Sequence, residues 1–176
     1  MDQETRKKYT QKIIEIAGRL QCDPSNLDAV INFETGGTYD VFVKNPLSGA
    51  RGLIQVTNTT ARSEFGVPDS LALSNANPDF NSYMDNVVYP YLAKYKPFRN
   101  KQELYMSVFY PAYRRVDPQT RFPADVAMMN PGIRVVQDYI NFVDDRVDWK
   151  MALFPKAAPL LALLAAGAGI WWLSRS

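Results

Sequence analysis

Apolar residues recur at spacings of three and four along most of this chain, which is the pattern of amphipathic helices. In the first such stretch, about residues 2 to 20, one helix face collects Tyr9, Ile13, Ile16, Ala17 and Leu20. Further helices are predicted at 57 to 65, at 77 to 95 with a kink at Pro90, at 100 to 110, and at 130 to 147. Gly, Pro, Asn and Ser between short β-branched runs predict loops at 37 to 56, with at most a small β-hairpin. The first 147 residues are therefore expected to form one mainly α domain.

One predicted helix has clear signals at both ends. Asp23 followed by Pro24 is a good helix start, with Asp as the N-cap and Pro in the first turn. Gly36-Gly37 is a good stop, because glycine adopts the left-handed C-cap conformation at little cost. At ~3.6 residues per turn, Glu34 falls within the apolar stripe of this helix, which is formed by Leu27, Val30 and Ile31.

Glu34 is therefore predicted to be a carboxylate on a buried helix face. Burying a charged carboxylate is costly unless it is paired, and no Lys or Arg lies one turn before it. We expect burial to raise its pKa above the ordinary ~4.3, towards the range that suits a general acid. On the residues alone, the alternative is a Glu that bends out to solvent at the helix end.

Composition excludes several kinds of chemistry. The 176 residues contain no His, which excludes His bases, Ser-His-Asp triads and most zinc sites. Cys22 is the single cysteine, so no intrachain disulfide is possible and a small buried apolar role is expected. Residues 1–149 carry 17 basic and 18 acidic side chains, and this net charge of −1 does not indicate nucleic-acid binding. The charged N-terminus lacks the apolar run of a secretory signal peptide. No metal or cofactor is expected.

The C-terminal tail has a different composition. The seventeen residues Ala157–Leu173 carry no charge, and as a helix they would span ~25 Å, against ~30 Å of bilayer hydrocarbon. Lys156 and Arg175 bracket the stretch, and Trp171-Trp172 suits an interfacial aromatic belt. We therefore expect a transmembrane anchor at 157–174 after a linker at 148–156, the alternative being a buried core helix.

Two segments that lie close together carry a family resemblance. Glu34-Thr35-Gly36-Gly37 and Ser48-Gly49-Ala50-Arg51-Gly52-Leu53-Ile54-Gln55 resemble the signature of the soluble lytic transglycosylases, whose fold is related to goose-type lysozyme. That signature is a Glu-Ser/Thr at a helix end followed about twenty residues on by Gly-Leu-Met/Ile-Gln. The segment Leu104-Tyr105-Met106-Ser107-Val108-Phe109-Tyr110-Pro111-Ala112 resembles the third motif of the bacteriophage branch, and Tyr139 within Gln137-Asp138-Tyr139-Ile140 resembles the fourth. The resemblance covers residues 10 to 145 and implies a lysozyme-like α+β fold that is mainly α.

The resemblance implies cleavage of peptidoglycan glycan strands between N-acetylmuramic acid and N-acetylglucosamine. A single carboxyl group protonates the leaving oxygen and then acts as base, while the muramic C6 hydroxyl attacks its own C1 to form a 1,6-anhydro product. Glu34 matches this acid and base. Ser48 and Gln55 match positions that bind the sugar, Tyr110 a tyrosine that positions the Glu or the substrate, and Tyr139 a second tyrosine lining the cleft.

Gly49 and Gly52 would let the backbone approach the glycan closely. On the residues alone, both glycines are also compatible with a simple turn, and Tyr110 and Tyr139 with core aromatics.

The chain departs from the family pattern in three places. Phe109-Tyr110-Pro111 replaces the usual Ala-Tyr-Asn, so that the Asn contact is missing and Pro111 must end or kink its helix. Thr35 replaces the commoner Ser and keeps the hydroxyl, and Arg51 occupies a position that is often small or polar. Asp40 is the nearest candidate for a second carboxylate, which a hydrolytic lysozyme would need, although a turn is its favoured role.

The same features also predict a location. The phage resemblance, the missing signal peptide and the expected anchor together predict a virion enzyme in an internal membrane, acting on the host cell envelope and in contact with lipid and other virion membrane proteins. The alternatives are a hydrolytic lysozyme of the same fold and a non-catalytic structural protein of the virion membrane.

Overall fold

The computed structural model describes residues 1–46 and 48–146. The helices in this part of the chain are α1 Gln3–Leu20, α2 Pro24–Thr35, α3 Asn58–Phe65, α4 Ser70–Ala76, α5 Phe80–Tyr83, α6 Tyr89–Ala93, α7 Lys101–Phe109, α8 Ala124–Met129 and α9 Val136–Arg146. A π-helical turn, Met84–Val88, joins α5 to α6, and a 3-10 turn, Pro111–Tyr113, follows α7. The described residues contain no β-strand beyond isolated antiparallel bridges, which pair Lys44 with Arg51, Arg51 with Val56 and Arg121 with Val135. The mainly helical prediction is confirmed.

The helix ends follow the local sequence signals. The side chain of Asp2 accepts the backbone N–H of Thr5 at the start of α1, and Asp23 accepts that of Ser25 at the start of α2. Gly36 closes α2 in the left-handed conformation with φ 59°. The bounds predicted for these two helices are therefore confirmed.

Proline explains where the later helical segments change. The predicted helix at 77 to 95 begins at Phe80 and contains the π-helical turn immediately before α6. In that turn the backbone N–H of Tyr89 donates to the carbonyl of Met84, because Pro90 has no N–H to continue the regular α ladder. Pro111 likewise follows the end of α7 at Phe109, as predicted.

Two helices were missed, and the last helix also starts later than predicted. The short α4 and α8 have seven and six residues, too few for an apolar period to stand out. α9 begins at Val136 instead of near residue 130, because the carboxylate of Asp138 accepts the backbone N–H groups of Arg134 and Val135 and caps the helix there.

α2 is the central helix, in contact with α1, α7 and α9. Its side chains Leu27, Val30 and Ile31 are fully buried, as the apolar stripe predicts. Glu34 lies in the last turn of this helix, which places its side chain in the interior that these helices enclose.

The expectation of a membrane anchor is corrected. The anchor at 157–174 and the linker at 148–156 lie outside the described residues, and no helix within the described residues is long and apolar enough to cross a membrane. The longest of them, α1, has 18 residues and exposes the charged Lys7, Lys8 and Glu15 on the side away from the core. A transmembrane helix as part of the fold, and the single-pass membrane location that depended on it, were therefore wrong predictions. The apolar residues of the described helices face a protein core instead.

Candidate active site

Glu34 and Tyr139 meet in the protein interior. Glu34 is 2% exposed, and the hydroxyl of Tyr139 donates a hydrogen bond of 2.9 Å to its Oε1. The two residues are 105 positions apart, and the contact between α2 and α9 brings them together. The predicted burial of Glu34 is confirmed, and the solvent-facing alternative is excluded.

An aromatic cluster holds the ring of Tyr139. The ring of Phe109 stacks on it at 4.3 Å between centroids, and the ring of Phe33 meets it edge-on at 5.7 Å. Tyr139 itself is 1% exposed. Because the ring cannot rotate away without disturbing α2, α7 and α9, its hydroxyl stays directed at Glu34.

The loop after Glu34 is folded tightly on itself. The backbone N–H of Asn45 donates to Ala50 O, and Arg51 and Val56 exchange N–H to carbonyl hydrogen bonds of 3.0 and 2.8 Å. The hydroxyl of Ser70 donates to Gly49 O and so ties the loop to α4. The loop is therefore held in one conformation by its own hydrogen bonds and by α4.

Gln55 stabilises this loop from inside. The residue is 2% exposed and adopts a positive φ of 48°. Its amide nitrogen donates to Gly52 O at 3.0 Å and to Val43 O at 3.4 Å. These contacts hold two parts of the loop together, so the structure gives the amide nitrogen a loop-clamping role where the resemblance implies sugar binding.

Gly52 is required by packing. Its φ is 81°, and a Cβ at this position would lie 2.2 Å from the hydroxyl oxygen of Tyr83. The Tyr83 hydroxyl itself donates to Arg51 O at 3.4 Å. The group that packs closely against Gly52 is thus a core tyrosine, and the approach of a glycan to this glycine stays a prediction.

Ser48 also has its described contacts within the loop. Its backbone N–H donates to the Asn45 side-chain oxygen at 3.2 Å, and its hydroxyl oxygen accepts the N–H of Ala50 at 3.2 Å. The residue is half-buried. It lies on the same loop as Gln55.

Tyr110 lies at the other end of the aromatic cluster. Its half-buried ring contacts Tyr113 at 4.8 Å and Phe122 at 5.8 Å, both edge-on. Phe122 in turn meets Phe109, which stacks on Tyr139. Tyr110 is thus connected to the Glu34–Tyr139 pair through two phenylalanine rings.

Asp40 is an exposed turn residue. Its carboxylate accepts the backbone N–H of Phe42 at 2.9 Å, two residues on, which is a local Asx turn. The side chain of Thr35 is also used locally, since its hydroxyl donates to Ile31 O and accepts the N–H of Tyr39. Among the described residues, Asp40 is thus placed as the turn interpretation predicts.

Sequence reasoning missed a buried polar network beside α2. Asp28 is 2% exposed, and it accepts the hydroxyl of Tyr39 at 2.8 Å and the guanidinium of Arg6 at 2.9 Å. Asn32 donates its amide to the same Tyr39 hydroxyl at 2.9 Å. Burial raises the pKa of Asp28, while the Arg6 charge and these hydrogen bonds act to lower it. The network fastens the chain reversal after Gly36-Gly37 to α1 and α2.

A second buried carboxylate is paired with arginine. Glu103, 1% exposed, contacts the guanidinium of Arg99 at 2.6 Å and that of Arg115 at 3.2 Å. Burial alone would raise the pKa of Glu103, but the Arg99 hydrogen bonds and the two positive charges outweigh it and lower the pKa. Its partners therefore give this carboxylate a structural role. No group of His, Cys, Asp and Glu side chains that could hold a metal ion occurs among residues 1–46 and 48–146.

No family model, curated protein or solved structure matches the chain. The resemblance to lytic transglycosylases therefore depends on the motif residues themselves. Of these, the structure brings Glu34 and Tyr139 into direct contact, places Ser48 and Gln55 in one loop, and connects Tyr110 through the aromatic cluster.

Proposed function

We propose that the protein is a peptidoglycan lytic transglycosylase with Glu34 as its single acid and base. The observation that carries the proposal is the buried Glu34 carboxyl at the end of α2, held by the Tyr139 hydroxyl at 2.9 Å. A buried carboxyl favours its neutral form, which can give a proton, and a hydrogen bond from tyrosine steadies the charged form that remains. Both states are needed in one catalytic cycle.

The proposed reaction balances with one carboxyl group. Protonated Glu34 gives its proton to the glycosidic oxygen, and the bond from this oxygen to C1 of N-acetylmuramic acid breaks. The Glu34 carboxylate then accepts the proton of the C6 hydroxyl as that oxygen bonds to C1, which closes the 1,6-anhydro ring and restores the acid. Because the nucleophile belongs to the same sugar, its attack benefits from proximity.

Tyr139 is proposed to hold Glu34 in position through both steps. A donor to Oε1 fixes the rotation of the carboxyl group, so that the same group can reach the leaving oxygen and then the C6 hydroxyl. The substrate-binding roles of Ser48, Gln55 and Tyr110 remain part of the proposal, with Gln55 acting through the loop shape that its amide maintains.

A hydrolytic lysozyme is the competing activity. It requires a second group to activate water, typically a carboxylate, and exposed Asp40 is engaged in an Asx turn. The placement of Asp40 therefore supports transglycosylation over hydrolysis.

The test is digestion of purified sacculi by the full-length protein, with the released muropeptides analysed by mass. The proposal expects products lighter by one water than those of a hydrolase, no release by Glu34→Gln, and normal release by Glu15→Gln, a change to an exposed surface carboxylate. Absence of cleavage by the folded wild-type protein would refute both enzymatic activities and favour the non-catalytic alternative.

A further inference from the structure

Positive charge is concentrated in one part of the described chain. Residues 94 to 121 contain seven Lys and Arg side chains and two carboxylates, a net charge of +5. The rest of residues 1–146 contains ten basic and fifteen acidic side chains, a net charge of −5. Positive charge is therefore segregated along the sequence of a domain that is neutral in total.

The fold brings five of these seven cations together near the start of α7. The loop after α7 returns to this point, where the amide of Gln102 donates to Val116 O at 2.8 Å and Arg114 donates to Tyr95 O at 2.9 Å. The Arg114 guanidinium also lies over the Tyr95 ring at 4.8 Å. We call the resulting surface the cationic edge, formed by Lys94, Lys96, Arg99, Arg114 and Arg115.

Internal pairing leaves the cationic edge positive. Arg99 and Arg115 share the one carboxylate of Glu103, and Lys94 pairs with Glu64. The five cations thus face two carboxylates, which leaves a charge of +3. Among the salt bridges of residues 1–46 and 48–146, none involves Lys96 or Arg114. Arg99 and Arg115 keep side-chain exposures of 64% and 50%, so that solution anions can reach them.

α7 connects the cationic edge to the candidate active site. Its last residue, Phe109, stacks on Tyr139, which bonds Glu34, and its nine residues make the helix ~13 Å long. An extended peptide of about four residues reaches ~14 Å at most. A short acidic peptide on a sugar bound at Glu34 is therefore long enough to reach the edge.

We infer that the cationic edge binds the carboxylates of the peptide stems that peptidoglycan carries, an inference that rests on the proposed function. Guanidinium groups match carboxylates in geometry as well as in charge. Such rim charges act mainly on encounter and on the salt dependence of binding. The edge would favour strands whose stems are intact and carry free carboxylates.

The test measures binding without turnover, using full-length protein carrying Glu34→Gln and co-sedimentation with purified sacculi. In that background, Lys96→Gln with Arg114→Gln is compared with Lys7→Gln plus Lys8→Gln, which removes the same charge from the exposed side of α1. We expect about tenfold weaker binding for the first pair at low salt, no change for the control pair, and convergence of the two at high salt. Circular dichroism melts check that all variants are folded.

Two treatments of the sacculi identify the ligand. Amidation of the stem carboxylates is expected to weaken binding and to abolish the difference between the two pairs. Removal of phosphate-containing wall polymers is expected to leave that difference unchanged. A difference that survives amidation, or disappears with the phosphate polymers, overturns the assignment, as does equal binding by the two pairs.

These experiments distinguish failure of the cationic edge from failure of the proposed enzymatic activity. Cleavage by the wild type with equal binding by both pairs refutes the edge and keeps the enzyme. Edge-dependent binding without wild-type cleavage keeps the edge and refutes the enzyme. Absence of any binding by folded protein refutes the edge.

Discussion

Replacing Tyr139 with Phe removes the oxygen that donates to Glu34 and leaves the ring packing in place. The hydrogen bond is 2.9 Å long and fully buried. A hydrogen bond to a charged group contributes about 1.5 to 3 kcal/mol, which corresponds to a loss of about 10- to 160-fold in kcat. Tyr139→Phe is therefore expected to retain the fold and to release muropeptides at about this reduced rate.

The pH dependence gives an independent readout of the same change. The charged Glu34 carboxylate loses a donor in Tyr139→Phe, so its neutral form persists to higher pH. Activity that depends on the protonated acid should then fall off at higher pH than in the wild type, an effect that simple loosening of the site would not produce.

Tyr105→Phe is the matched control for Tyr139→Phe. It also removes a buried tyrosine hydroxyl that bonds a carboxylate, that of Asp144 at 3.3 Å, away from Glu34. The assay is the initial rate of muropeptide release across pH, with thermal melts in parallel. Wild-type kcat and an unchanged pH profile in a folded Tyr139→Phe protein would refute the role given to Tyr139.

Three further predictions concern stability. Gly52→Ala should lower the free energy of unfolding by about 2 kcal/mol or more, since the new Cβ meets the Tyr83 ring at a positive φ. Gly18→Ala, at an open position in the last turn of α1, should instead stabilise the fold by up to about 1 kcal/mol; equal melting temperatures of the two variants would contradict this. Asp28→Asn should lower the free energy of unfolding, measured with urea, by about 3 kcal/mol because it leaves the Arg6 charge without its partner. A decrease within about 0.5 kcal/mol would show that the fold does not depend on this network. Because the folded-state pKa of Glu103 is lowered, its contribution to stability is present above its ordinary pKa and is lost as the pH falls through the lowered value. Between neutral and strongly acidic pH, the melting temperature of the wild type should therefore fall more steeply than that of Glu103→Gln. A parallel fall of the two melting temperatures would contradict this prediction.

Local chemistry made the helix that carries Glu34 predictable. The Asp23 cap, Pro24 and the paired glycines act within a few residues, so the bounds of α2 and the burial of Glu34 followed from counting helical turns. The contact with Tyr139 followed only from a motif, since no rule of spacing relates residues that are 105 positions apart.

The features that could not be predicted depend on contacts between residues that are far apart in the sequence. The clamp role of Gln55 and the approach of Tyr83 to Gly52 depend on how the loop folds back on itself. Asp28 contacts Arg6, 22 residues away in the sequence, because α1 packs on α2. The membrane expectation came from composition in the tail, and the described helices bury their apolar faces against one another instead.

The central claim is that Glu34 alone serves as acid and base for an intramolecular attack. The most direct measurement is digestion of sacculi in heavy-oxygen water, with mass analysis of the new chain ends. The proposed reaction predicts 1,6-anhydro ends without heavy oxygen from the wild type and no new ends from Glu34→Gln. Reducing ends that carry heavy oxygen, or anhydro ends formed by Glu34→Gln at a rate near the wild type, would contradict it.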